Sequence, residues 1–255
     1  MYEHEVAFAH GLADRAAEIA VGLFLGDGLE VRRKADMTLV TQADTSIERA
    51  LREQIAAAFP DDRILGEEEG GSHEPGGRVW VVDPIDGTAS YARGIPIWAT
   101  LICLQIDGEG VLGVAHAPAI GERYIGVRDE GATLNGRQIR VSDVATLGEA
   151  QVLYQELAIL MGDRYREATI GLVRDSWRDR GFGDFWSHML VARGAAEVVL
   201  EPSLATWDYA ALQVIVEEAG GRATTFDGGP LEHRGSMLTT NGLLHDEVLA
   251  RLAAG

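Results

Sequence analysis

A single cysteine, Cys103, occurs among the 255 residues. No disulfide can form within the chain, and no cysteine-based zinc site can be assembled. Lying in the apolar run 98–104, Cys103 is expected to be a small core residue. Positive charge is also scarce. Lys and Arg number 22 against 40 Asp and Glu, a formal net charge of −18. This speaks against nucleic acid as a partner, because binding it needs many phosphate contacts from basic side chains. Long apolar runs are missing too. The longest near the start, 19–25, contains Gly22 and falls far short of the roughly 18 residues a membrane span needs. Glu3 and Glu5 stand where a secretory signal would be basic. The expectation is a cytoplasmic protein with no membrane partner.

What is present describes an ordinary globular chain. Hydrophobic residues make up 46% of it, enough for one large α/β domain or two packed halves. Residues 4–25 read as a helix, with Val6, Leu12, Ala16, Ile19, Ala20 and Leu23 near one face. A second helix follows Asp44, its stripe formed by Ile47, Leu51, Ile55 and Phe59, and Pro60 and Asp61 end it. The middle reads as β, with strands at 78–82, 98–105, 110–117 and 123–128. Asp107-Gly108 and Asn135-Gly136 are hairpin signals. Beyond Thr146 strands and helices alternate: a strand at 151–155, helices at 164–178 and 184–193, and a strand at 197–201. A helix at 207–219, a strand near Leu238 and a last helix from Leu243 complete the order. The fold class is therefore α/β, with an α+β first half, 1–145, and a layered α/β second half, 146–255.

The most informative segment is Val79-Trp-Val-Val-Asp-Pro-Ile-Asp-Gly-Thr88. An apolar strand runs into Asp83, and Pro84 is expected to stop the ladder. Asp83 and Asp86 then share a tight turn, where two carboxylates repel unless a cation lies between them. Carboxylates with a backbone carbonyl are the donors that hard cations such as Mg²⁺ prefer. Gly87 lets the backbone approach a ligand, and Thr88 opens a helical turn whose amide can face an anion. Three further acidic elements are weaker singly. Glu67, Glu68 and Glu69 alone read as a solvated loop, and Asp44 and Asp208 as helix caps.

The ordered set Thr41-Gln-Ala-Asp44, Gly66-Glu-Glu68, Asp83-Pro-Ile-Asp-Gly-Thr88 and Trp207-Asp-Tyr-Ala-Ala211 resembles the inositol monophosphatase superfamily over nearly the whole chain. The resemblance implies a layered αβαβα sandwich and a Mg²⁺-dependent phosphate monoesterase that works as a homodimer. It implies that Glu67, Asp83, Asp86, Asp208 and the carbonyl of Ile85 bind metal. Asp44 and Thr88 would orient the attacking water, with Glu67 assisting. Asp86 and the amides of Gly87 and Thr88 would face the bound ester. Lys34 matches a family lysine near the metal. Five carboxylates and a phosphate monoester of charge about −2 come close to neutral with two or three Mg²⁺ ions. Phosphoryl transfer is mainly positioning and charge neutralisation, so no protein nucleophile is required.

Substrate choice is expected to lie in the second half. Inositol monophosphatases usually carry a small or hydroxylated residue, then Ala, where this chain has Asp184, Phe185 and Trp186. The departure resembles the histidinol-phosphate phosphatase branch. An acidic side chain suits a cationic amino alcohol, and aromatics suit an imidazole ring. Glu201 is a second candidate for contacting the substrate, expected to be L-histidinol phosphate. Asp184 can also cap the helix it begins. His188 is read as structural or at the pocket rim, and Arg178, Arg180 and Arg193 as solvated or ion-paired. The alternatives are an inositol-1-monophosphatase and, from another class, an acidic metal-binding protein without catalysis.

Overall fold

Helix α1 (Glu3–Leu23) buries Ala9, Leu12, Ala13, Ala16 and Ala20 along one stripe. A face so rich in alanine lets the helix lie close against its neighbour α2 (Gln42–Ala58), which contributes Ile47, Leu51 and Ile55. This computed structural model describes residues 1–26, 28–35, 37–71, 76–162 and 164–254. Between the two helices, β1 (Val31–Arg33) and β2 (Leu39–Thr41) pair antiparallel.

The chain then builds a seven-stranded sheet from β3 (Arg63–Gly66) and β4 (Arg78–Asp86), and, after the single-turn helix α3 (Thr88–Tyr91), β5 (Ala99–Ile106), β6 (Glu109–Ala117), β7 (Glu122–Val127), β8 (Gly131–Leu134) and β9 (Arg137–Ile139). Neighbours in the sheet follow sequence order. All pairs are antiparallel except β3 with β4. Both hairpin signals form: Asp107 and Gly108 join β5 to β6, Asn135 and Gly136 join β8 to β9, and all four have positive φ, as tight hairpin turns require. The period of two along β4 sorts its side chains. Trp80 and Val82 face α1 and α2, while Val79 and Val81 face the interior of the molecule.

The remaining elements are β10 (Gln151–Tyr154), α4 (Leu157–Gly162), α5 (Arg166–Asp175), β11 (Arg178–Arg180), α6 (Asp184–Ala192), β12 (Val198–Leu204), α7 (Thr206–Glu218), β13 (Arg222–Thr224), β14 (Gly235–Thr240) and α8 (His245–Ala254). Their five strands form a second sheet in the order β11-β10-β12-β14-β13, parallel from β11 through β12 and antiparallel at β14. Helices α6 and α7 lie between the two sheets, and α4, α5 and α8 cover the outer face of the second. The layers run αβαβα, as the motif resemblance implied. Among the described residues no helix is long and apolar enough to cross a membrane.

Two local features differ from the sequence reading. Pro84 does not end β4. The strand continues to Asp86 with a register shift between Asp83 and Asp86. Lacking an N–H, Pro84 makes the ladder bulge, while its carbonyl accepts a hydrogen bond from Thr100 Oγ1 at 2.8 Å. The span 164–178 is helical only over α5, preceded by α4 and followed by β11.

Helix α7 sits unusually close to the seven-stranded sheet. A Cβ on Gly113 of β6 would collide with the Ala211 carbonyl oxygen, and one on Gly126 of β7 would fall 2.7 Å from Ile215 Cα. These two glycines let the helix axis approach the sheet, and the first turn of that helix carries Asp208.

Candidate active site

Asp83 and Asp86 come from the bulged end of β4, and Asp208 from the start of α7. Each offers a carboxylate oxygen, and the three oxygens lie within 4.8 Å of one another. Burial pushes Asp83 and Asp86 well above the usual carboxylate range. Glu67, Asp86 and Asp208 push Asp83 further, and Asp184 and Asp208 push Asp86. Asp208 is raised by burial to about 7. Asp83 Oδ1 is buried with no hydrogen-bond partner among the described residues. Crowded carboxylates with an unmatched oxygen fit a cation between them.

Two of the site's aspartates are held by the same device. Thr41 caps α2, its hydroxyl accepting from the Ala43 amide at 3.1 Å. Asp44, three residues on, reaches back with Oδ2 to the Thr41 amide at 2.8 Å. That leaves Asp44 Oδ1 facing Thr88 Oγ1 at 3.1 Å. At the start of α7, Asp208 Oδ2 likewise accepts the Ala205 amide at 2.7 Å. Both carboxylates satisfy orphan amides of a first helical turn, and each is thereby fixed in direction. The cap reading of these residues is therefore correct but incomplete. Burial raises the Asp44 carboxyl against the hydrogen bonds from Thr41.

The acidic loop after β3 has an unexpected support. Glu48, fully buried on α2, accepts the amides of Glu68 at 2.7 Å and Glu69 at 3.0 Å, and is clamped by Arg52 Nε at 2.8 Å. A Cβ on Gly66 would meet the Glu48 carboxylate and the Arg52 guanidinium, so any larger residue where β3 turns over them must displace that clamp. On the other side Lys34 Nζ lies 2.8 Å from Glu67 Oε1 and 2.7 Å from Glu68 Oε1. One ammonium facing two carboxylates cannot neutralise both. Burial alone would lower the Lys34 pKa, but the hydrogen bonds and charge of Glu67 and Glu68 raise it; Glu68, buried and beside Glu67, is pushed up to about 7.

The second half closes the opposite wall. Asp184 begins α6 at a φ of 49°, and its amide donates to Gln155 Oε1. Gly183, not Asp184, stands at the N-cap, and burial, opposed by Gln155, raises the Asp184 carboxyl to about 6. The next amide, that of Phe185, donates to Asp86 Oδ2 at 2.6 Å. Glu201, on β12, is buried and pushed well above its ordinary pKa by burial and by Asp184, Asp86 and Asp208.

Glu67, Asp83, Ile85, Asp86, Gly87, Thr88, Asp184, Glu201 and Asp208 all line one cleft of about 590 Å³. Asp44 lies behind it, in contact with Thr88, and Lys34 behind Glu67. The profile of the inositol monophosphatase family matches residues 1–254. The chain belongs to the inositol monophosphatase family. It is 44% identical over 260 residues to a histidinol-phosphatase of Mycobacterium tuberculosis, covering 100% of both chains. A histidinol-phosphatase of Streptomyces coelicolor is 41% identical, with 98% of this chain and 97% of that protein covered. Among solved structures, an inositol monophosphatase from Zymomonas mobilis superposes with a TM-score of 0.88 at 31% identity, covering 99% of each chain. Members of this family are metal-dependent phosphomonoesterases acting on small phosphate esters, and the cleft of this chain holds an acidic cluster of Asp83, Asp86 and Asp208.

As a member of the family, the chain also shows residues that motif reading passed over. Glu48 carried a signal, since a glutamate four residues after Asp44 on the apolar face of a helix is a polar group in the core. Gln155 and Glu156 follow β10 and line the cleft, but no motif marks them. Arg33 and Arg93 also line it, so its rim is less purely acidic than the sequence indicated. Arg193 instead pairs with Glu122 at 2.6 Å. Arg178 and Arg180 are not part of the cleft wall.

Proposed function

We propose that the chain hydrolyses L-histidinol phosphate to L-histidinol and phosphate with two or three Mg²⁺ ions. The observation that carries this reading is that Asp184 and Glu201 share a cleft with the Asp83–Asp86–Asp208 cluster. A cationic amino alcohol finds paired carboxylates there, whereas a neutral polyol finds unmatched negative charge. The names of the relatives at 44% and 41% identity support it.

In this reading Glu67, Asp83, Asp86, Asp208 and the carbonyl oxygen of Ile85 hold the metal. When bound, it offsets the charge of the ester and makes a water acidic enough to attack. The protein's own part is orientation. Thr88 Oγ1 has one proton and two acceptors, Asp44 Oδ1 at 3.1 Å and the Ile85 carbonyl at 2.8 Å. Donation to Asp44 leaves the lone pairs of Oγ1 to accept a hydrogen bond from a water and so orient it, and would keep the Ile85 oxygen free for the cation. Glu67 assists from the opposite side. Asp86 and the amides of Gly87 and Thr88 face the phosphate, while Asp184 and Glu201 face the leaving alcohol. The division at residue 145 then separates a first half with most metal ligands from a second half that selects the substrate. By resemblance to the family, the working form is a cytoplasmic homodimer.

Purified enzyme assayed with Mg²⁺ should favour histidinol phosphate over inositol 1-phosphate by about tenfold or more in kcat/KM. A tenfold preference the other way overturns the assignment in favour of an inositol-1-monophosphatase. Absence of phosphate release from both esters would leave a metal-binding protein without catalysis.

A further inference from the structure

Two of the buried side-chain atoms that lack a hydrogen-bond partner among the described residues face one another. His188 Nε2 lies 3.7 Å from Glu201 Oε2, and the two side chains are 0% and 2% exposed. Buried polar atoms left unmatched are costly, so a facing pair calls for an explanation. Glu201 forms part of the cleft wall, whereas His188, on α6, stands behind it. The other ring nitrogen, Nδ1, is 2.8 Å from Thr239 Oγ1 on β14, the strand paired with β12. The three side chains therefore form a line from β14 through α6 to β12, ending at the substrate side.

Which nitrogen carries the proton follows from the partner of the other. A hydroxyl that donates to Nδ1 leaves the proton of a neutral ring on Nε2, aimed at the Glu201 carboxylate. The ring is kept neutral because burial pushes its pKa down to about 3. A neutral donor has a property that lysine or arginine lacks here. Across 3.7 Å it favours one orientation of the Glu201 carboxyl group without adding a charge of its own. The oxygen of Glu201 turned away from His188 is then the one open to a ligand in the cleft.

We propose that His188 is a positioning residue for substrate recognition, its Nε2, 3.7 Å from Glu201 Oε2, orienting that carboxyl group so that its other oxygen receives a cationic group of the leaving alcohol. The inference rests on the reading of the substrate as a cationic phosphate ester. It assigns a role to a side chain that touches neither metal nor substrate, and it makes Thr239 the anchor of the line.

Steady-state kinetics of the Mg²⁺-loaded enzyme on histidinol phosphate and on p-nitrophenyl phosphate, whose leaving group is uncharged by amines, test it. His188→Leu should raise KM for histidinol phosphate by about tenfold, with kcat within about twofold and p-nitrophenyl phosphate turnover unchanged. The inhibition constant of free L-histidinol should rise in parallel. His188→Gln, whose amide nitrogen can reach the place of Nε2, should recover most of the loss. Thr239→Val, which leaves the imidazole in place, should move the same KM in the same direction by about threefold, and decides the matter should His188→Leu not fold. A wild-type enzyme without preference for the cationic ester removes the substrate reading and this inference with it. A preferring wild type whose KM is unmoved by these changes, or an equal loss on both esters, overturns the inference alone.

Discussion

At the scale of single residues, the site depends on carboxylates whose directions are set by main-chain amides. Asp44 and Asp208 are gripped by N-cap amides, Asp86 by the Phe185 amide, and Glu48 by those of Glu68 and Glu69. Glu48 shows what this is worth. Replacing it by glutamine keeps the size and removes the charge that holds two amides and Arg52, so the loop bearing Glu67 loosens. Glu48→Gln should weaken Mg²⁺ binding by about 10–100-fold, the usual cost of losing a ligand's support, while the far-UV spectrum stays native. Titration of the rate against Mg²⁺ checks this; an unchanged half-saturating concentration would show that the loop holds itself. Asp83, Asp86 and Thr88 were legible because six consecutive residues contain them. Glu48 was not, because its importance arises from the Gly66 turn folding over it, a contact between segments that no local pattern displays.

Among the elements, α7 couples packing to chemistry. Its first turn carries Asp208, and its later turns lie on Gly113 and Gly126 of the large sheet. Gly126→Ala places a methyl group against the Ile215 backbone, where overpacking costs about 1–3 kcal/mol. The helix must shift to accept it. Stability should fall by that amount in urea, and kcat/KM should fall together with it; full activity at reduced stability would show that Asp208 follows the Ala205 cap rather than the sheet. Most elements could be read from periodicity, because α2, β5, β6 and α7 each run long enough for a period of two or 3.6 to repeat. The three-residue strands β1 and β11 could not, since three residues complete no pattern. β4 was read as too short because proline was taken to end a strand, whereas here its missing donor falls at the bulge.

On the scale of the whole molecule, the chain carries a net charge of −18, and several of its carboxyls meet at a cleft where burial and mutual repulsion raise them. Asp208 and Glu68 reach about 7 and Asp184 about 6, against ordinary values near 4. In the metal-free protein the native state therefore binds more protons than the unfolded chain between about pH 4 and 7. Its stability is highest below that window and declines as pH rises through it. Melting in EDTA should thus occur at lower temperature at pH 8 than at pH 5.5, and Mg²⁺, binding the folded arrangement alone, should recover more at pH 8. Equal melting at both pH values would contradict the crowding of these groups. The order of the layers was legible through the motifs, which imply a known architecture. How the helices interleave the two sheets was not, because it depends on contacts between residues far apart in sequence.

The bond from the Phe185 amide to Asp86 joins residues 99 positions apart and ties the first turn of α6 to the bulge in β4. One oxygen of a charged side chain thus serves as a rivet across the seam between the two sheets. Under the proposed function, a cation held by Asp86 would act on the same side chain that anchors α6, and so on the wall that faces the leaving alcohol. Under that proposal, ion and organic substrate would be mutually dependent guests, each meeting a wall the other has helped to set.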